Sequence, residues 1–594
     1  MKTYVFLLVI LKVSGRIRFS TAENPCCSFP CQNGGVCMTM GHDNYLCDCA
    51  NTGYYGDYCE TATFWQGLKN LLRPHPDTTN HLLTDPGYKW IWDVINNIPF
   101  LHSVLMRLIY LLRAEMVDSP AVYTSAHTYV TFEAAANTSY FMRGLPPVPT
   151  DCPTPMGVAG KSELPDVDYL VERLFRRHTF TAETYGSNLL FTFFAQHFTH
   201  MFFKTDVNRG AGFTWGGHGV DVSHIYGPEK DTENKLRAFK DGRLKTQTIN
   251  GEEWPPLISQ SPVKMLYPAN VPREKQFAIG HEFFGLLPGL FVYATIWLRE
   301  HNRVCDVLKS VHPEWDDEQL FQTAKLVILG ETIKIVVEDY VQHLSRYNFK
   351  LTFEPELLFG QSFQYQNRIS VEFNHLYHWH PLMPDRFNIS GRLYEMPEFL
   401  FNTDVALEHG LTTMVDSFAR QPAGKMTYHN HANVTLEVAK DTILQGRQLR
   451  LQPLNEYRKK FRLHPHTSFG DLTDDREIAE DLERLYGDID AVEFYVGLMV
   501  EAHRPNSMFG PTIIEVGGPF SVKGLMSNPI CSPKYWRPST FGGDVGFDII
   551  KTASLKKLFC RNLKGECPPV SFSVPMATDP VSQCEDEDCL KVEL

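Results

Sequence analysis

The cysteines divide this chain before any other feature does. Of the 14 in 594 residues, seven crowd into "CCSFPCQNGGVCMTMGHDNYLCDCANTGYYGDYC", residues 26–59. Between Cys152 and Cys560 only Cys305 and Cys531 occur. A segment that short cannot bury enough apolar surface to hold itself together, so cross-links must do it, and those persist only in an oxidising compartment. The rest, in a chain of 43 % hydrophobic and 21 % charged residues, has the balance of an ordinary globular core. The expected plan is therefore a small disulfide-stapled module joined to a much larger, mostly reduced domain. The start supports export: Lys2, an apolar run from Tyr4 to Leu11 and small residues ending at Ala22 predict a signal peptide over 1–22. The N-x-S/T acceptors Asn137, Asn388 and Asn433 suit a lumenal chain. A net charge of −13 leaves no general basic surface, so nucleic acid is not an expected partner.

Residues 61–113 mix Trp, Leu, Ile and Phe with Lys, Arg and His, and prolines cut them into short pieces. No piece approaches the ~20 apolar residues of a spanning helix. Short amphipathic helices lying in one leaflet are expected, with Trp65, Trp90 and Trp92 near the interface. An ordinary helical arm packed on the next domain is the alternative. From 114 to 575 the pattern is mostly helical, with short loops and no repeat. The acidic tail, 576–594, ends in "KVEL", close to a lumenal retention signal.

Two stretches carry chemistry. In "LYHWHPLMP", Tyr377 stands three positions before His380, and Pro381 follows. Residues at i and i+3 share a helical face, so this reads as the end of a buried helix presenting a phenol and an imidazole together. In "FTFFAQHFTHMFFKT", Gln196 and His200 are one turn apart on one face. Phe194, Phe198 and Phe202 form another stripe, and such stripes are usually core. A lone helix histidine is usually structural too, but two histidines on facing elements can sandwich a haem, one ligating iron and one working over the open side. The open-side imidazole would shuttle a peroxide proton as acid and base, with an amide such as Gln196 holding the peroxide. "HEFFG", from His281, begins like a zinc-protease motif, but Gly285 stands where the second histidine is needed.

The cysteine module, with Cys26, Cys31, Cys37, Cys47, Cys49 and Cys59 around "CDC" and "GYYGDYC", resembles an epidermal-growth-factor-like module over 23–60. Six cysteines alone permit many connectivities. The resemblance implies Cys26–Cys37, Cys31–Cys47 and Cys49–Cys59, leaving Cys27 for a partner elsewhere, for which Cys152 is the candidate. "AQHFTHMFFKT", "GLLPGLFVYATIWLREHNRVCDVL", "YHWHPLMPD" and "GGPFSVKGLMSNPICSPKYWRPSTFGG" resemble the prostaglandin-endoperoxide synthases, or cyclooxygenases, within the animal haem peroxidases. The match runs through nearly the whole mature chain. It implies a mainly α fold in which a haem-peroxidase-like catalytic domain, 114–575, follows membrane-binding helices at 61–113. It further implies a Cys560–Cys567 bond, a homodimer, and a monotopic enzyme on the lumenal face of the endoplasmic reticulum and nuclear envelope.

Carried onto this chain, the resemblance makes His380 the proximal ligand of a non-covalent haem b, His200 the distal acid–base and Gln196 its assistant. Tyr377 becomes the radical site that takes hydrogen from a bis-allylic carbon. Arg113, with Tyr347 and Glu515, would hold the substrate carboxylate at the channel mouth. Ser521 would narrow the channel below Tyr377, with Phe373, Trp379, Phe509, Ile514 and Gly517 along its wall. The implied reaction converts arachidonate and O₂ to a hydroperoxy endoperoxide, then reduces the peroxide with a reducing cosubstrate. The chain departs from the family at Gly518, commonly alanine, and at Asn402, where "NTD" breaks an expected glycosylation acceptor. Ile514 and Arg504 match different vertebrate forms. A dioxygenase that stops at linear hydroperoxides, or a haem-less adhesion scaffold using the small module, are the competing classes.

Overall fold

A computed structural model describes residues 24–41 and 44–576; the expected signal peptide, 1–22, and residues 577–594 with the KVEL end lie outside the described residues. The N-terminal module is built on the antiparallel strands β1 (Val36–Met40) and β2 (Asn44–Asp48), with Cys37 opposite Cys47. Among its described residues only Cys27, Cys47 and Cys59 are buried. Sulfur thus takes the place of an apolar core. The bonds are Cys26–Cys37, Cys31–Cys47 and Cys49–Cys59, while Cys27–Cys152 fastens the module to the main domain across 125 residues of sequence. Cys560–Cys567 closes a short loop, and Cys305 and Cys531 are free and buried.

Four helices follow: α1 (Phe64–Leu72), α2 (Pro76–Thr84), α3 (Lys89–Asn96) and α4 (Pro99–Ala114). Prolines open α2 and α4, where the missing N–H is not needed. Phe64, Trp65, Leu71, Leu72, Trp90 and Phe100 all point outward, Leu71 with 81 % of its surface exposed. Among the described residues no single helix is long and apolar enough to cross a membrane; the segments 86–96 and 99–114 would qualify only together, and they meet at 113°.

The larger part of the chain is helical around the buried helices Pro288–Val311 and Asp317–Ile335. The second runs on into a π-helical turn, Val336–Val341. Helix Leu189–Thr199 lies against the first so closely that a Cβ on Gly289 would sit 2.3 Å from the Phe193 ring. Connections are longer than the pattern suggests: 144–166 and 200–222 contain no helix. Side chains satisfy their backbone instead, as where Arg143 donates to the carbonyls of Leu145 and Leu449 at 2.8 and 2.7 Å.

One expectation needs correction. Tyr377 and His380 do not share a helix. Helix Val371–Leu376 ends one residue before Tyr377, and His380–Leu382 is a separate 3₁₀ turn. Pro381 disfavours the α conformation at His380, and the Trp379 indole N–H turns back to take the Leu376 carbonyl. Arg177 then clamps the turn, donating to the carbonyls of Pro381 and Met383 at 3.1 and 2.9 Å and pairing with Asp385 at 2.9 Å. Gly424 closes the other side: its N–H reaches the Leu382 carbonyl at 2.8 Å, and a Cβ there would stand 2.0 Å from the Pro381 carbonyl oxygen. Gly424→Ala must therefore push this turn aside. We expect a loss of about 2 kcal/mol, from the overpacking range, read from the thermal unfolding midpoint.

Candidate active site

Helix Leu189–Thr199 is started by Asn188, whose side chain accepts from the Phe191 N–H at 3.1 Å. One turn separates Gln196 from His200. The His200 Nδ1–H donates to the Gln196 carbonyl at 2.5 Å, which leaves the lone pair on Nε2. Burial pushes the His200 pKa down to about 4, so the ring is neutral at pH 7. Burial, and then the charge of His200, likewise hold His380 down at about 4. The two imidazoles come from different elements, and among the described residues no side chain hydrogen-bonds to either. Gln196 Oε1 and His380 Nδ1 are buried with no partner. Among the described residues no three His, Cys, Asp or Glu form a metal-holding cage. Paired imidazoles with unpartnered polar atoms around them suit a planar iron porphyrin better than a bare ion.

Histidines that sequence reasoning did not select surround this pair. His378 stacks on His380 with centroids 5.6 Å apart, and His281 meets His200 edge-on at 5.0 Å. His197 and His224 touch at 4.5 Å. Only His281 was noticed, in a motif set aside as lacking its metal pair.

Tyr377 lies on the wall of two apolar spaces. The larger spans about 900 Å³, open solvent included, and is also lined by Arg113, Tyr347, Trp379, Ile514, Gly517 and Ser521. The smaller, about 360 Å³, adds Phe373, Phe198 and Phe202 and shares Ser521. The aromatic stripe of helix Leu189–Thr199 therefore contributes cavity wall as well as core. Tyr377 packs on Trp379, Phe373 and Phe203 at 4.4, 5.1 and 5.4 Å. Burial raises its pKa, partly offset by the hydroxyls of Ser521 and Tyr340. The Tyr340 hydroxyl is buried and makes no hydrogen bond. Phe509 lines neither space; it backs Trp379 at 4.6 Å. Met106, Ile109 and Tyr110 of α4 and Val337 and Val341 of the π turn also line the larger space. They carry no chemical signature and were not selected.

At one end of the larger space stands Arg113, in the last turn of α4. Its Nη1 lies 2.5 Å from Glu515 Oε2. Arg504 Nη1 takes the other oxygen at 2.8 Å, and Arg504 Nε donates to Asp77 of α2 at 2.9 Å. Burial alone would raise the Glu515 pKa, but the charges of Arg113 and Arg504 reverse this and leave it lowered. Burial opposes the Arg113 charge too, and Glu515 and Tyr347 more than restore it. A Cβ on Gly518 would sit 3.8 Å from the Arg113 guanidinium, an ordinary contact, so an alanine fits there. Of the three acceptor asparagines, Asn388 and Asn433 are exposed, whereas Asn137 is half-buried and its amide donates to Glu133 at 3.1 Å.

The animal haem peroxidase family profile matches residues 216–568. The chain is 57 % identical over 567 residues to prostaglandin G/H synthase 2 of Oryctolagus cuniculus, covering 95 % of this chain and 93 % of that one. It is 56 % identical over 559 residues to prostaglandin G/H synthase 1 of Mus musculus, covering 93 % and 91 %. Among solved structures, the fatty acid alpha-dioxygenase of Arabidopsis thaliana superposes with a TM-score of 0.61 at 18 % identity, covering 82 % of this chain and 91 % of that chain. Peroxidase A of Dictyostelium discoideum gives 0.59 at 17 % identity, over 72 % and 93 %. The last two report fold alone.

The Arg113–Glu515–Arg504 cluster sets an acid dependence. A carboxylate with a lowered folded pKa adds stability that is whole above its unfolded value of about 4.3 and fades as pH falls through the lower folded one. Glu515→Gln leaves the half-buried Arg113 without its carboxylate, while Arg504 keeps Asp77, which should cost about 3 kcal/mol at pH 7. It should also lose less of its remaining stability than the wild type as the pH drops below the ordinary carboxylate range. Unfolding midpoints across an acid series measure both.

Proposed function

The chain belongs to the prostaglandin G/H synthase family of the animal haem peroxidases, and we propose that the His200–His380 pair and the Tyr377 channel divide that family's two reactions between them. It is a prostaglandin-endoperoxide synthase, a dioxygenase and a peroxidase in one chain, and it works with haem, peroxide and a fatty acid. The observation that carries the division is Tyr377: it lies on the wall of both apolar spaces and three residues from His380.

His380 would ligate the iron of a non-covalently held haem b, and His200 would serve the peroxide bound there. Haem bound there supplies the one-electron oxidising power for the phenol. His200, neutral with its lone pair on Nε2, takes the proton from one peroxide oxygen and returns it to the other. Gln196 Oε1, free of any internal partner, orients the peroxide hydrogen. Tyr377 gives up an electron and its proton, and the phenoxyl then takes a hydrogen atom from a bis-allylic C–H bond, re-forming its O–H. The carbon radical left behind combines with O₂, and after the second O₂ has added the peroxyl radical takes a hydrogen atom back from the Tyr377 O–H, giving the hydroperoxide and restoring the phenoxyl. Twenty-carbon arachidonate, taken up with two O₂ to give prostaglandin G2 and then reduced to prostaglandin H2, fits an apolar channel with the Arg113 cation in its wall. Arg113 with Tyr347 holds the carboxylate, and Ser521 with Gly517, Ile514, Phe373 and Trp379 shapes the chain path. Phe509 acts by holding Trp379.

The outward apolar residues of α1–α4 support binding to one leaflet, with the channel mouth at its surface. Cleaved export and retention on the lumenal face of the endoplasmic reticulum and nuclear envelope rest on the disulfides and on family membership. So does the homodimer, for which exposed Tyr129, Val130 and Phe132 offer an apolar patch. The division of the chain into the 23–60 module, 61–113 arm and 114–575 catalytic domain follows the same reading.

The test is O₂ uptake with arachidonate by haem-loaded wild type and Tyr377→Phe, with peroxidase turnover on the same samples. The variant should lose O₂ uptake and keep peroxidase turnover. Retained uptake would remove Tyr377 from hydrogen abstraction, and linear hydroperoxides as the wild-type product would return the chain to the simpler dioxygenase class.

A further inference from the structure

Four arginines gather where one of them, Arg113, lines the larger space, and among the described residues only two of the four pair with carboxylates. Arg113 shares Glu515 with Arg504, which also reaches Asp77. Arg73 and Arg462 have none within ion-pair distance among the described residues. Arg73 caps the end of α1, directly after the exposed Leu71 and Leu72. Its Nη2 donates to the carbonyl of Leu112, the residue before Arg113, at 3.1 Å. Arg462 Nη2 donates to the Arg73 carbonyl at 3.3 Å. Both side chains are half-buried. A guanidinium has five N–H donors, so each keeps most of its fork free after one carbonyl bond. The backbone at Arg462 is also unusual: φ is +64°, just past helix Leu454–Lys460, where glycine is the ordinary occupant. A long cation held at such a position, beside a second one, points to an anion that both serve.

We propose that Arg73 and Arg462 form a second oxyanion site at the channel mouth, which receives the carboxylate of a fatty acid arriving from the membrane before Arg113 takes it. The inference rests on the fatty-acid reading given above. Arg113 is already engaged by Glu515 at 2.5 Å, so an incoming carboxylate meets the free donors of Arg73 and Arg462 first. The hand-over is short, because the Arg73 guanidinium is tied to the residue next to Arg113. Crowding of like charge agrees: after burial, Arg462 and Arg113 are the main causes that lower the Arg73 pKa. An arriving anion relieves that repulsion.

Arg462→Gly tests this without straining the fold, since glycine accepts the left-handed backbone. With the detergent-solubilised, haem-loaded full chain, KM for arachidonate should rise ~5-fold, and ~10-fold when Arg73→Gln is added, as expected for losing charge-assisted bonds to a carboxylate. KM for methyl arachidonate, which has no charge, should stay level, and Arg462→Lys should recover most of the loss. Equal KM values for arachidonate in all variants would overturn the site. Palmitate binding by calorimetry tests it independently of turnover: the double variant should bind more weakly, and equal affinity counts against the site even if no oxygenation occurs. Co-sedimentation with phosphatidylcholine vesicles, with and without phosphatidylglycerol, separates the other source of an oxyanion. If the double variant loses only its preference for phosphatidylglycerol and keeps wild-type KM and palmitate affinity, the pair binds headgroup phosphate and the carboxylate proposal fails.

Discussion

Arg113 is a full positive charge set into the wall of an apolar channel, and such a charge persists only beside a carboxylate. Glu515 supplies it at 2.5 Å, and Arg504 holds the far oxygen of Glu515. The pairing joins α4, the last helix of the arm, to helix Pro511–Met526, which carries Ile514, Gly517 and Ser521. Once those two helices are tied, one side of the channel and its polar end have set positions. Pro519, inside the second helix, removes the N–H that would have bonded the Glu515 carbonyl, loosening the helix where Gly517 and Gly518 let the space approach its backbone. The same ion cluster reaches Asp77, so the arm's second helix is referred to the same anchor.

Burial does the remaining chemical tuning. It keeps the His200 and His380 rings neutral near pH 7, the state in which an imidazole can ligate or accept a proton. It also raises the Tyr377 pKa further, deepening the preference for the neutral phenol. The π turn Val336–Val341 belongs to this arrangement: its extra residue per turn brings Val337 and Val341 to the larger space and leaves the Tyr340 hydroxyl unbonded near Tyr377.

Much was legible in advance because it is local or covalent. Cysteine spacing announced a stapled module, and among its described residues only cysteines are buried. The prolines and scattered aromatics of 61–113 announced short helices, since proline placement acts on the backbone directly. Gln196 and His200 were readable as one face because a single regular helix carries both to its end. Tyr377 and His380 were read as partners on one helix, and they are not. Spacing cannot reveal that the Trp379 indole would cap the Leu376 carbonyl, or that Arg177 and Gly424 would hold a separate turn.

By itself, then, the sequence determined which groups the protein possesses and the local frames that present them: the disulfide module, the broken arm, the histidine helix and the phenol before His-Pro. The tertiary structure decided what those groups meet. Met106 and Tyr110 on α4, Val341 in the π turn and Phe198 on the histidine helix become walls of the spaces beside Tyr377 only through packing. Arg73 and Arg462 become neighbours across 389 residues only because two helix ends converge at one mouth. The physical reason is range. Helix, turn and cap preferences act over a few residues and leave a signature in spacing, whereas cavities and ion clusters form where distant elements pack, and no short-range pattern records that meeting.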